Sequence, residues 1–150
     1  MVSGFLLDTS ACIALLRAEP TTTQRLASCA PATAVRTAAP VAAELLVGGR
    51  LASTGRQRLD EARALLADLD VLPFDGQSAE LYAEIKSDLI RRAVLPRRRA
   101  GEPLRDGWDH DIQIAAIARQ HGLVIVTRNV GHFERMTGVQ VENWHVPQDA

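Results

Sequence analysis

The 150-residue chain is short of cysteine, aromatic residues and net charge, and these shortages exclude several classes of protein. Two cysteines, Cys12 and Cys29, are too few for a disulfide framework and lack metal-site spacing. A formal charge of -1 argues against nonspecific wrapping of nucleic acid. No apolar run reaches the length of a membrane span, and no basic segment precedes the apolar first residues as in a signal peptide. We therefore expect a cytoplasmic protein without a membrane segment.

Aliphatic residues are abundant in the chain. Apolar residues make up 47% of the chain and aromatic residues 4%, so the core is expected to consist of Ala, Leu, Val and Ile. A chain of this length can bury such a core without disulfides, and we expect one domain over residues 1–150 with a short tail at its end. This composition suits helices packed on a parallel sheet.

Apolar periodicity predicts alternating strands and helices. Strands are expected at 5–7, 33–37, 71–74, 123–126 and 139–141, and helices at 10–17, 22–29, 40–47, 51–69, 78–94 and 111–120. Ser10 is expected to cap the first helix, the Gly48-Gly49 pair to end the third, and Pro73 to mark an edge strand. The polar, basic segment 96–108 is expected to be a loop. This alternation predicts a three-layer α/β/α domain around a mainly parallel sheet.

Polar residues follow two of the predicted strands, and acids begin two of the helices. Asp8 comes directly after strand 5–7, and Asn129 follows strand 123–126. Ligands gather at the carboxyl ends of parallel strands, near the point where the strand order reverses. Glu44 lies among apolar residues, where a carboxylate stays in water at the helix edge or needs a partner. Asp111 begins a helix, where the helix dipole alone also favours an acid.

Carboxylates that converge with few nearby cations indicate a bound hard cation. Oxygen ligands suit Mg²⁺ or Mn²⁺, which keep several waters and bridge substrate phosphates. The same acids would equally serve as helix caps and surface residues, and their spacing alone does not decide between the two interpretations.

Four segments, in order, carry a family resemblance: FLLDTSACIALLR from residue 5, PVAAELLVGG from residue 40, DIQIAAIARQHGLVIVTRNVGHF from residue 111 and GVQVENW from residue 138. Together they resemble the motif regions of PIN-domain ribonucleases, and especially the VapC-type toxins of bacterial type II toxin–antitoxin pairs. The likeness runs from about residue 4 to residue 144 and covers nearly the whole chain.

The resemblance implies a set of site residues. Asp8, Glu44 and Asp111 are similar to three catalytic acids that bind metal in that family. Asp109, two residues before Asp111, is the rival for the third role, but its position relative to the helix start fits the family less well. The fourth position falls on Asn129, a neutral amide where many relatives carry aspartate, so a second metal would bind more weakly. Supporting hydroxyls are expected at Thr9 and Thr127, and His132 replaces an acid often found before the phenylalanine.

The resemblance also implies an activity and partners. We expect a Mg²⁺-dependent endoribonuclease, with Mn²⁺ as an alternative ion, in which metal-activated water attacks the phosphodiester. Either Asp111 or Glu44 would accept the proton of that water. A homodimer and a cognate antitoxin protein are expected partners, with RNA as substrate. Arg128, Arg97 and Arg98 are candidate RNA contacts, although such arginines are equally typical of a solvated surface.

A second hypothesis is a catalytically weak PIN-like module that binds RNA or a partner without cutting, and the neutral Asn129 keeps it open.

Overall fold

A five-stranded parallel sheet forms the centre of the fold, with the strands in the order β3-β2-β1-β4-β5. The strands are β1 (Gly4–Leu7), β2 (Ala34–Ala38), β3 (Asp70–Leu72), β4 (Val124–Val126) and β5 (Val141–Glu142). These positions come from a computed structural model that describes residues 3–97, 99, 101 and 107–147. The parallel sheet and the edge position of β3 are confirmed.

Helices connect the strands on both faces of the sheet. They are α1 (Thr9–Leu16), α2 (Pro20–Ser28), α3 (Ala39–Leu51), α4 (Arg56–Ala67), α5 (Gly76–Arg91), α6 (Asp109–His121) and α7 (Val130–Phe133). The helices α1 to α4 connect strands that step outward to β3, whereas α5 and α6 lead back across the sheet to β4. Parallel crossovers are right-handed, so the two sets cover opposite faces. The predicted three-layer α/β/α architecture is confirmed.

The strand order reverses between β1 and β4, which are neighbours although most of the chain separates them. Leu7, the last residue of β1, lies opposite Val126, the last residue of β4. Both side chains are fully buried, as are Leu6 and Ile125 on the same strands. Parallel strands buried on both faces read as continuous apolar runs, which is why these segments were recognisable. The residues that directly follow Leu7 and Val126 therefore lie side by side at the same edge of the sheet.

The prediction of one helix over 51–69 is wrong, as is the prediction that the Gly48-Gly49 pair ends the third helix. The helix α3 runs through both glycines to Leu51, and a turn at Gly55, with a φ of 62°, precedes α4. A Cβ on Gly49 would lie 2.8 Å from the Cα of Leu59, so this glycine permits close packing of α3 against α4. Glycine here allows two helices to approach each other rather than ending one.

Other boundaries differ by a few residues. The helix α5 begins at Gly76 rather than at residue 78, because Asp75 caps it by accepting a 3.0 Å hydrogen bond from the backbone N–H of Ser78. The helix α6 begins at Asp109 rather than Asp111, and the short α7 was not predicted. Of the predicted loop 96–108, residues 98, 100 and 102–106 lie outside the described residues.

The exposed large apolar side chains are few among the described residues. They are Val47, Leu51, Val71, Phe74 and Val146. Leu65 and Leu66 of α4 are half-buried and pack on the core, so the apolar face of this helix is used within the chain. Along the described ranges, none of the helices is both long and apolar enough to cross a bilayer.

Candidate active site

Asp8 lies immediately beyond β1, at the point where the strand order reverses. Its backbone N–H continues the β1–β4 pairing by donating to the carbonyl of Val126 at 3.1 Å. Its Oδ1 accepts from the backbone N–H of Ala11 at 3.0 Å and from the hydroxyl of Ser10 at 2.6 Å. Asp8 is therefore the N-cap of α1, and the prediction that Ser10 caps this helix is wrong. Ser10 instead orients the acid.

The environment of Asp8 disfavours its negative charge. Its exposed fraction is 6%, and this burial raises the pKa of the carboxyl above its ordinary value. Hydrogen bonds from Ser10, Thr127 and Ala11 lower the pKa in part, whereas the charge of Asp111 raises it further. Within the described part of the chain, no lysine or arginine forms an ion pair with Asp8. A cation at this place would relieve the penalty.

Glu44 reaches the site from α3, and two side chains hold the same oxygen. Its Oε2 accepts from the hydroxyl of Thr9 at 2.7 Å and lies 2.7 Å from Nε2 of His110. The Glu44 side chain is 52% exposed, so it stands at the mouth of the site while Asp8 lies at its base. The sequence places Glu44 among apolar residues, where a carboxylate needs either water or a partner. In the structure the Glu44 carboxylate has both.

Asp111 lies in the first turn of α6 and is held from the segment after β4. Its Oδ2 lies 2.5 Å from Nδ1 of His132, in α7, and 3.4 Å from Nδ2 of Asn129. Thr127, which is fully buried at the end of β4, accepts from the backbone N–H of Asn129 at 2.9 Å. The amide of Asn129 thus points its nitrogen, a donor, at the acid.

The three predicted acids share one cavity of about 280 Å³, which is lined by Asp8, Thr9, Ser10, Ile13, Glu44, His110, Asp111 and Ile114. The lining offers three carboxylates and neither lysine nor arginine, which is the oxygen-rich donor set that a hard cation prefers. Among the described residues, no three His, Cys, Asp or Glu side chains are already arranged as a closed metal-binding group. The chemistry of the residues that line the cavity fits a divalent cation.

Asp109 does not line this cavity. Its Oδ1 accepts from the buried Lys86 ammonium and from the hydroxyl of Tyr82, both on α5. Among the described side chains, its other oxygen is buried without a hydrogen-bond partner. Asp109 thus ties the start of α6 to α5, and the rival assignment for the third acid loses support.

Of the candidate RNA contacts, Arg128 is linked to the site through Ser10, which also holds Asp8. The guanidinium of Arg128 forms a 3.2 Å ion pair with Glu19, and its backbone N–H donates to Ser10 at 3.0 Å. Arg97 is exposed, and Arg98 lies outside the described residues. Their contact with RNA stays a prediction.

Sequence reasoning missed His110 and His132 as partners of the acids. The sequence signals were that His110 precedes Asp111 and that His132 stands three residues after Asn129, at the motif position where relatives often carry an acid. The pattern gave no sign that His110 would reach Glu44 on another helix.

Comparison with known proteins identifies the family. The PIN domain family model matches residues 5–139, so the chain belongs to the PIN-domain family. The tRNA(fMet)-specific endonuclease VapC of Salmonella typhimurium is 31% identical over 101 residues, which cover 67% of this chain and 68% of the relative. The tRNA(fMet)-specific endonuclease VapC of Shigella flexneri is 27% identical over 140 residues, which cover 93% of this chain and 97% of the relative.

A solved structure agrees with these relatives. The DNA-bound VapBC of Salmonella typhimurium superposes with a TM-score of 0.78 at 27% identity, covering 96% of this chain and 99% of the other. The VapC-type resemblance of the four motif segments is thereby confirmed.

Proposed function

We propose that this protein is a Mg²⁺-dependent endoribonuclease and the toxin of a toxin–antitoxin pair. The observation that carries the proposal is that Asp8, Glu44 and Asp111, from distant parts of the sequence, line one cavity. The cavity lies beyond the carboxyl ends of β1 and β4, where ligands bind in open α/β sheets. The similar proteins from Salmonella typhimurium and Shigella flexneri are endonucleases specific for tRNA(fMet), which supports RNA as the substrate.

Asp8, Glu44 and Asp111 would hold the ion, each in a different way. A bound Mg²⁺ lowers the pKa of a coordinated water and neutralises charge that develops on the phosphate. Asp8 stays fixed at the base, because Ser10 and the α1 backbone hold its Oδ1. Glu44, at 52% side-chain exposure against 19% for Asp111, is better placed to accept a proton from incoming water.

The proposal includes partners and a location. The similar VapBC complex from Salmonella typhimurium supports a cognate antitoxin for this chain. The homodimer and the cytoplasmic location expected from the sequence remain predictions, as does Mn²⁺ as an alternative ion.

Incubation of the purified chain with total RNA tests the proposal. Cleavage is expected with Mg²⁺ and not with EDTA, and Asp8→Asn is expected to reduce it to background because the buried ligand charge is lost. Asp60→Asn on the exposed face of α4 is the matched control and keeps wild-type cleavage. Equal cleavage by wild type and Asp8→Asn would contradict the assignment of the site.

The alternative is a module that binds RNA without cutting it. The neutral Asn129 favours it, since this amide donates to Asp111 where a further carboxylate would add charge for a second metal. RNA retained in a gel-shift assay by wild type, with no Mg²⁺-dependent cleavage over the same time, would favour this reading over the first.

A further inference from the structure

We propose that His110 and His132 are positioning residues for the metal-binding carboxylates. Each histidine holds one oxygen of an acid, Glu44 or Asp111, and so leaves the second oxygen for the ion. The inference rests on the proposed function, because it needs Glu44 and Asp111 to be metal ligands.

The contacts of His110 link two helices across the cavity. Its Nε2 lies 2.7 Å from Oε2 of Glu44 and 3.4 Å from the hydroxyl oxygen of Thr9, which donates to the same Oε2. A carboxylate only accepts hydrogen bonds, so Nε2 carries the proton and donates. Among the described residues, both donors converge on Oε2 and none is seen on Oε1. The carboxylate of an exposed glutamate on α3 is thereby kept in one orientation.

His132 does the same for Asp111 from the other side of the site. Its Nδ1 donates to Oδ2 of Asp111 at 2.5 Å, and the amide nitrogen of Asn129 lies 3.4 Å from the same oxygen. The ring of Trp108 packs on the His132 ring, with centroids 3.5 Å apart. Because Trp108 directly precedes α6, the helix that carries Asp111, the imidazole is held between two residues of one segment.

The arrangement at Asp8 follows the same rule with other donors. Its Oδ1 receives the Ser10 hydroxyl and the Ala11 N–H. In each of the three acids, therefore, at least two donors of the chain converge on a single oxygen. Hydrogen-bonded ligand carboxylates of this kind are oriented before the metal arrives, which lowers the cost of assembling the site.

The distances favour positioning over direct ligation by the histidines. Two ligands at right angles on an octahedral Mg²⁺ lie roughly 3 Å apart, as follows from bond lengths of about 2.1 Å. Nε2 of His110 instead lies 2.7 Å from the carboxylate oxygen of Glu44, which is the length of a charge-assisted hydrogen bond, and Nδ1 of His132 contacts Asp111 at least as closely. His110 therefore lines the cavity as a hydrogen-bond partner of Glu44, and His132 contacts Asp111 in the same way.

Titration of the full-length chain with Mn²⁺, followed by the loss of the free-ion electron paramagnetic resonance signal, tests the inference without measuring activity. His110→Leu and His132→Leu are expected to weaken Mn²⁺ binding about 10- to 100-fold, as loss of such outer contacts does in other metal sites. His110→Gln keeps a donor at the Nε2 position and His132→Asn keeps one at the Nδ1 position, so both are expected to restore most of the affinity. His121→Leu, at the exposed end of α6, is the control and keeps wild-type binding.

The outcomes separate this inference from the function on which it rests. No Mn²⁺ binding by wild type, or equal binding by wild type and Asp8→Asn, overturns the metal site and the positioning role with it. Binding by wild type that both leucine variants retain overturns the positioning role alone. Tighter binding by the leucine variants also overturns it, since the histidines would then compete with the ion. Melting temperatures in EDTA identify a variant that fails to fold, in which case the Gln and Asn variants decide.

Discussion

At the scale of single residues, Asp8 is a buried carboxylate whose charge the apo protein stabilises poorly. It caps α1 through Oδ1, yet burial and the nearby Asp111 raise its pKa above the ordinary 3.8. The stability that protonation of a carboxyl with a raised folded pKa contributes is fully present below its unfolded pKa, and it is lost as the pH rises through the folded pKa. Above the folded pKa of Asp8, the metal-free protein therefore carries an unfavourable charge at the position that would bind a cation.

We predict that Asp8→Asn raises the melting temperature of the metal-free protein at neutral pH. Asparagine keeps the oxygen that accepts from Ala11 and Ser10, and asparagine is as good an N-cap as aspartate, so the change removes mainly the charge. The advantage over wild type is expected to shrink in acid, as the pH falls below the folded pKa and Asp8 becomes protonated. Thermal unfolding followed by circular dichroism in EDTA, from neutral pH to pH 4, measures it. A lower melting temperature for Asp8→Asn at neutral pH would contradict the prediction.

At the scale of elements, α3 packs against α4 through Gly49, and the adjacent Gly48 takes no part in this contact. A Cβ on Gly49 would meet the backbone of Leu59 at 2.8 Å, whereas a Cβ on Gly48 would meet nothing within 4 Å. The same helix carries Glu44 about one turn earlier, so the packing of α3 also sets where that acid stands.

Alanine substitutions at the two glycines are therefore predicted to have opposite effects. Gly49→Ala forces the helices apart and is expected to destabilise the protein by about 1 to 3 kcal/mol, as overpacking does. Gly48→Ala restricts the unfolded chain without a clash and is expected to stabilise it by about 0.5 to 1 kcal/mol. Urea unfolding of both variants measures the difference. Equal effects in the two variants would show that α3 does not pack on α4 through Gly49.

At the scale of the whole molecule, a divalent ion would join α1, α3 and α6 through Asp8, Glu44 and Asp111, which are far apart in the sequence. An ion that binds only the folded state stabilises it by RT ln(1 + c/Kd), where c is the free ion concentration, so the free energy of unfolding rises with that concentration. The site thus makes the stability of the whole chain depend on metal concentration.

We predict that Mg²⁺ raises the melting temperature of wild type. At a free concentration about a hundred times the Kd, the gain is about 2.7 kcal/mol. Asp8→Asn is expected to show little or no gain, since one ligand charge is gone, while Asp60→Asn is expected to match wild type. Differential scanning calorimetry over a Mg²⁺ series measures it. The same gain in wild type and Asp8→Asn would place the ion elsewhere.

Strands that neighbouring residues determine were predicted correctly from the sequence, whereas helix ends that depend on distant contacts were not. The buried runs at Phe5–Leu7 and Leu123–Val126 predicted the central strands, because an apolar run flanked by helices has few other uses in an α/β chain. Helix ends were less predictable. Gly48 and Gly49 resemble a helix end in sequence, yet α3 continues through them because α4 packs there.

By itself, the sequence determined the strand–helix alternation and, through the motif segments, which acids to examine. Asp8 directly follows an apolar strand, and that position holds in any parallel sheet, because a strand end places its next residue at the sheet edge. Only the tertiary structure decided that Glu44 and Asp111 share a cavity with Asp8, that Asp109 turns to Lys86, and that His110 and His132 hold two of the acids. The contact between Glu44 and His110, for example, joins residues 66 positions apart. No local pattern encodes a hydrogen bond between side chains that only the packing of separate helices brings within reach.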